Sequence, residues 1–297
     1  MFFSVFYYIF VKMFYMEKTL VYHLYVNSDD INQKTSYNVH KKCLEQFKHI
    51  FDKVLFVITV NDLSNNIAIR NAIKWVLDIE FCKEIDIKIE KNNSLCESKT
   101  FNDYVLENKD LNGMVFFAHN KGSNNFESEN TNINKDSVFM WVCGLYYYNL
   151  MFMQEVDGAL CGKQFYPECM YGAFLMENDN NDSRLFLSQY HYAGNFYWIN
   201  IEYYRQLIDL NKIKIVNATN PMFSEMFPGY LFTTQPGGGL KTHNDIRFMM
   251  SQWDGSLYTM NEDEWCNISD ILDGNQDFIV FAHRIANNIK YKLYDKI

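Results

Sequence analysis

The chain has 297 residues, 48% apolar and 21% charged, the balance of a folded protein with a large core, in one elaborated domain or two closely joined ones. A formal net charge of −9, with no run of Lys or Arg, argues against a nucleic-acid partner. Seven scattered cysteines without a CxxC pair indicate neither a zinc knuckle nor a disulfide framework, and free thiols point to a reducing, cytoplasmic setting.

The chain opens on MFFSVFYYIFVKMFYM, Met1 to Met16, which is apolar but broken by Lys12. It is shorter than the roughly 20 residues of a spanning helix and lacks the basic start and small-residue cleavage site of a secretory signal. Residues 1–15 are therefore read as an N-terminal extension that packs on the protein or touches a membrane surface. A strand is expected at Leu20 to Val26, then a helix from Tyr37 to Phe51 with Val39, Cys43, Leu44 and Phe47 at helical spacing. Val54 to Val60, continuous and β-branched, reads as a buried strand ending at Asn61-Asp62. Ser64 can cap the next helix, in which Ile67, Ala68, Ala72, Trp75, Val76 and Ile79 recur at helical intervals. Ile85 to Ile89 is a strand, Ser98 to Glu107 a short helix, and Gly113 to His119 another buried strand.

The second half reads differently. Asp136 to Gln154 is an aromatic helix, apolar nearly all round. Val156 to Leu160, Tyr171 to Leu175 and His191 to Ile199 read as strands, and Glu202 to Ile208 as a helix. Strands alternating with helices build a mostly parallel sheet with helices on both faces, a Rossmann-like α/β architecture. No repeat or linker divides it. Residues 16–297 are expected to form one unit, with a nucleotide-binding half over about 16–125 and an acceptor or catalytic half over about 126–297. Ligands of such sheets sit outside the carboxyl ends of strands at a topological switch point. That rule marks Asn61-Asp62 and His119-Asn120-Lys121-Gly122.

Three groups of residues could carry chemistry. In FFAHNKG, Phe116 to Gly122, an apolar strand runs into His119, Lys121 and Gly122, whose cation and open backbone suit a diphosphate; an ordinary surface turn fits the spacing as well. In YHYAGNFYWIN, Tyr190 to Asn200, a continuous strand would put Tyr192, Gly194, Phe196 and Trp198 on one side and His191, Ala193, Asn195 and Tyr197 on the other. Gly194 allows close approach and the Asn195 amide can donate and accept to sugar hydroxyls, although a core strand with a packing glycine reads equally well. Asp62, Asp157 and Glu225 end apolar runs, and Glu225 in SEMFPGY is bracketed by apolar residues, as a general base can be. No GxGxxG, Walker or GxSxG pattern occurs.

Taken in order, these segments resemble a polysaccharide-biosynthesis family of bacterial and viral glycosyltransferases. The resemblance rests on YHLYVN (Tyr22 to Asn27), ESKTF (Glu97 to Phe101), FFAHNKG, the W…LYYYNL stretch from Trp141 to Leu150, MYGAFL (Met170 to Leu175), the YxGxFYWIN segment (Tyr192 to Asn200), and SEMFPG (Ser224 to Gly229). It implies a GT-A-like nucleotide-diphosphosugar transferase fold that moves a sugar from a nucleoside-diphosphate sugar to a saccharide or lipid-linked acceptor. Asp62 is then expected to contact the base or ribose, and His119, Lys121 and Gly122 the donor. His191, Gly194, Asn195 and Trp198 would shape the sugar pocket, with Glu225 as the catalytic base. A divalent cation, Mn²⁺ or Mg²⁺, is also implied, yet FFAHNKG stands where a DxD motif is expected. The Arg expected shortly before Glu225 is missing from Asn220-Pro221-Met222-Phe223-Ser224, with Arg205 as a substitute. These departures keep open a catalytically inactive protein that binds sugars or serves as a scaffold.

Overall fold

A computed structural model describes residues 16–81, 83–120, 135–150, 153–160, 169–172, 175–177, 190–192, 194–210, 218, 220–227 and 240–241. Four parallel strands form one half of its main sheet: β1 (Lys18–Val26), β2 (Lys53–Val60), β3 (Ile85–Lys91) and β4 (Met114–His119). Helix α1 (Thr35–Phe47) joins β1 to β2, and α2 (Asn66–Leu77) joins β2 to β3. The short α3 (Glu97–Phe101) continues into a π-helical turn, Asn102–Leu106, before β4. Beyond β4 come α4 (Lys135–Leu150), α5 (Met153–Leu160), β5 (Met170–Gly172), β6 (Leu175–Glu177), β7 (Tyr190–Tyr192), β8 (Tyr197–Asn200), α6 (Ile201–Asp209), a helical turn over 223–227, and β9 (Leu240–Lys241).

The main sheet runs β3-β2-β1-β4-β8-β5-β9. Its pairs are parallel except where β8 lies antiparallel between β4 and β5. The fold is thus α/β, with a mostly parallel sheet flanked by helices and compatible with a Rossmann-like arrangement. Helices cover both faces, which is why β1, β2 and β4 are continuous apolar runs. On one face Leu20, Tyr22 and Leu24 of β1 join Phe56, Phe116 and Trp198 beneath α1, α2, α4 and α5. On the other, Val21, Val57, Phe117 and Tyr197 meet Phe101 of α3, Tyr204 of α6, and Phe223 and Phe227 of the 223–227 turn. The edge strand β3 alternates apolar residues with Asp86, Lys88 and Glu90, charges that discourage further strand addition.

Several aromatic residues that sequence leaves open between core and ligand roles are core. Phe51 stacks on Phe116 and Trp198 at 6.0 and 5.9 Å between ring centres. Tyr146 of α4 ties the buried hydroxyl of Tyr22, 3.1 Å away, to His40 Nδ1 at 2.7 Å. At Gly113 the backbone turns into β4 with φ +69°, and a Cβ there would fall 2.4 Å from the Glu17 carbonyl oxygen, so glycine is required.

Three sequence expectations need correction. Val156 to Leu160 is helical, part of α5, because its apolar residues Val156 and Leu160 are one helical turn apart and both face the core. Ser64 does not cap α2; Asn65 does, its side chain accepting from the Ala68 amide. The expected strand from His191 to Ile199 is broken: β7 pairs with β6 in a separate two-stranded sheet, while β8 joins the main sheet. Gly194 (φ +85°) and Asn195 (φ +60°) form the bend between them, a left-handed conformation no strand can continue through.

Candidate functional site

Strand β1 lies between β2 and β4, so the chain steps outward on one side to β3 and returns to add β4 on the other. The switch point is therefore at the carboxyl ends of β1 and β4, where His23 and His119 are register partners. Asn120 closes the gap just beyond. Its side chain accepts from the Tyr25 amide at 2.9 Å and donates to the Tyr25 carbonyl at 2.8 Å, replacing one rung of the ladder.

Because β8 is antiparallel to β4, its amino end reaches that same edge, and the Gly194–Asn195 bend is delivered beside His119. Polar side chains from three elements hold it. His119 Nε2 donates to the Gly194 carbonyl at 2.9 Å, which fixes the proton on that nitrogen. The Gly194 amide donates to Glu225 Oε1 at 3.1 Å. The Asn195 side-chain amide donates to Glu97 Oε1 at 3.4 Å. Asn195, His119 and Glu225 are all buried. The other polar atom of the Asn195 side chain, Oδ1, is buried without a partner among the described residues.

The ESKTF segment supplies the remaining side chains. Ser98 donates to the Pro221 carbonyl at 2.6 Å and accepts from the Ser224 amide at 3.0 Å, lacing α3 to the 223–227 turn. Tyr197 of β8 donates to the Ser224 carbonyl at 2.7 Å and so locks Glu225's turn against the sheet. Thr100 meets His23 Nδ1 at 2.8 Å, and Thr59 lies 3.4 Å from His23 Nε2. Burial lowers the His23 pKa to about 4; Glu97 opposes this and His119 adds to it. His23 is neutral near pH 7.

Several predicted site residues do meet here: His119, Gly194, Asn195 and Glu225. Lys121 and Gly122 lie outside the described residues, as does the His191 side chain, although the His191 backbone belongs to β7. Trp198 is corrected to a core residue. It is fully buried on the opposite face, with its indole N–H donating to the Asn149 carbonyl at 2.8 Å. Asp62 does not join the cluster. It is exposed beyond β2, and hydrogen bonds from the Ser64 amide and hydroxyl, at 2.9 and 2.7 Å, hold its pKa below the usual carboxylate value. Arg205 cannot replace the missing Arg, because it donates to the carbonyls of Leu111 and Asn108 before the amino end of β4, at the opposite edge of the sheet. Asp157 is paired with Lys18 at 3.2 Å.

Sequence reasoning missed His23, Glu97, Ser98 and Thr100 as site residues. ESKTF was visible as a segment, but only the fold shows that it spans from His23 to Asn195. Among the described residues no three His, Cys, Asp or Glu side chains come together as metal ligands, so Glu97 and Glu225 do not by themselves make a cation cage. No helix among them is long and apolar enough to cross a membrane. No protein-family model and no curated protein matches the chain.

Proposed function

We propose that the protein is a glycosyltransferase, moving a sugar from a nucleoside-diphosphate sugar to a saccharide or lipid-linked acceptor. One observation carries this proposal. At the switch point of the sheet, an antiparallel strand brings the Gly194–Asn195 bend against His119, Glu97 and Glu225. Such a switch point is where nucleotides bind in α/β architectures of this kind, and a carboxylate beside a hydrogen-bonding amide is what transfer to a hydroxyl needs. A GT-A-like fold is part of the proposal.

Glu225 is the proposed base. Its Oε1 stays on the Gly194 amide while Oε2, without a partner among the described residues, takes the proton of the acceptor hydroxyl. The acceptor oxygen then bonds to the anomeric carbon, and the bond to the diphosphate oxygen breaks, its electron pair leaving with the nucleoside diphosphate. His119 supports the bend from the opposite side, and Lys121 and Gly122 are proposed to meet the donor phosphates. The cytoplasmic setting, and a membrane contact through residues 1–15, belong to the same proposal.

A thermal-shift screen across UDP-, GDP-, dTDP- and CMP-sugars, with and without Mn²⁺ or Mg²⁺, tests donor binding; a bound donor at a hundredfold excess over its Kd stabilises by about 2.7 kcal/mol. Glu225→Gln keeps an oxygen for the Gly194 amide and removes the proton acceptor, so turnover should fall by about 10²–10⁴ with donor affinity unchanged. Near-normal turnover would remove Glu225 from the base role. A catalytically inactive sugar-binding or scaffold protein is the competing proposal, favoured by the use of Glu225 as a backbone clamp and by Arg205's position away from the site. Donor binding without transfer or hydrolysis by the wild-type protein would establish it.

A further inference from the structure

Asn195 holds an unusual combination of features. Its backbone is left-handed (φ +60°), its side chain is fully buried, Nδ2 faces Glu97, and Oδ1 has no partner among the described residues. A buried acceptor left unpaired is destabilising, so native structures keep few of them without a use. The residue that aims Glu97 is strained as well. Cys96, just before α3, sits at φ +48°, ψ −130°, a region that only glycine enters readily. Strain on one side of the contact and a left-handed residue on the other persist only where surrounding structure enforces them. Here the lacing of Ser98 to Pro221 and Ser224 does so.

We propose that Asn195 Oδ1 is an acceptor for a hydroxyl of the sugar moiety of the donor, and that Glu97 is its positioning residue, holding Nδ2 so that the oxygen is presented. This deepens the function proposed above and rests on it. The amide could otherwise turn over and present N–H donors. With Glu97 accepting from Nδ2, the flipped orientation sets carboxylate against amide oxygen and is disfavoured.

The same geometry selects which end of the donor docks here. Asn195 Oδ1 and the carboxylates of Glu97 and Glu225 accept hydrogen bonds and donate none. Lys99, the cation nearest in sequence to Glu97, is paired with Asp103. An uncharged group rich in hydroxyls complements these acceptors, whereas a phosphate is repelled by them. The bend is thus a sugar subsite, and the diphosphate binds away from it.

The test measures, on the full chain, the affinities of UDP and UDP-glucose, GDP and GDP-mannose, and dTDP and dTDP-glucose, with and without Mn²⁺. In the wild-type protein the sugar should tighten at least one pair. Asn195→Gly, which suits the left-handed backbone, and Glu97→Ala should each cancel about tenfold of that gain while leaving nucleotide affinity within about twofold. Glu97→Gln, whose carbonyl oxygen can still accept from Nδ2, should restore it. If Glu97→Ala fails to fold, Asn195→Gly and Glu97→Gln decide. Equal losses for a nucleotide and its sugar, an unchanged gain in Asn195→Gly, or a gain that exists only with Mn²⁺ would overturn the subsite. Nucleotides that bind equally well with and without the sugar sink the subsite alone. If neither nucleotides nor their sugars bind, the proposed function falls with it.

Discussion

His23 makes the protein's stability depend on pH in a window set by its burial. The ring is fully enclosed by the sheet and α3, hydrogen-bonded to Thr100, and its pKa falls from 6.5 to about 4 on folding. Between these values the unfolded chain holds a proton there that the folded chain does not. Stability therefore rises with pH across the window and is lost as pH falls from about 6.5 towards 4. One pKa unit corresponds to about 1.4 kcal/mol, so the full loss is about 3 kcal/mol, of which about 2 kcal/mol is already gone at pH 5. Urea unfolding of the wild type and of His23→Asn at intervals from pH 7.5 to pH 5 measures it. The variant should be less stable at pH 7, since the Thr100 and Thr59 contacts are weakened, but its stability should fall less on acidification. The gap between the two proteins should narrow by about 2 kcal/mol. Parallel curves, or a gap that widens at low pH, would refute the account, because every other titrating group is shared by both proteins.

Other perturbations test separate parts of the structure. Cys96→Gly removes a side chain from a glycine-favouring conformation and should raise stability by about 1 kcal/mol in chemical denaturation, whereas Cys96→Ala should leave it nearly unchanged. Arg205→Ala deletes two charge-assisted hydrogen bonds to backbone carbonyls and should cost about 2 kcal/mol, with no effect on donor affinity; weaker donor binding at unchanged stability would return Arg205 to the site. Trp198→Ala should cost about 3–5 kcal/mol, as loss of a fully buried core aromatic does, and a variant of near-native stability with impaired sugar binding would contradict its core placement.

Local pattern was enough to place the alternating first half, because β1, β2 and β4 are short apolar runs buried on both faces and α1 and α2 carry apolar stripes at helical spacing. It also marked His119, Gly194, Asn195 and Glu225, whose residue types and places at the ends of apolar runs set them apart. Tertiary structure decided the rest. Trp198 and Asn195 are three residues apart in one motif, yet one fills the core and the other faces the switch point, because two positive φ angles at Gly194 and Asn195 break the strand that local pattern extends through them. Nothing local to Glu97, Ser98 and Thr100 announces a site either. Their partners lie 77 to 126 residues away, at His23, Asn195, Pro221 and Ser224, and only the insertion of an antiparallel β8 beside β4 brings those segments to one edge of the sheet. Periodicity reports which face of an element is buried, whereas the order of strands decides which loops meet.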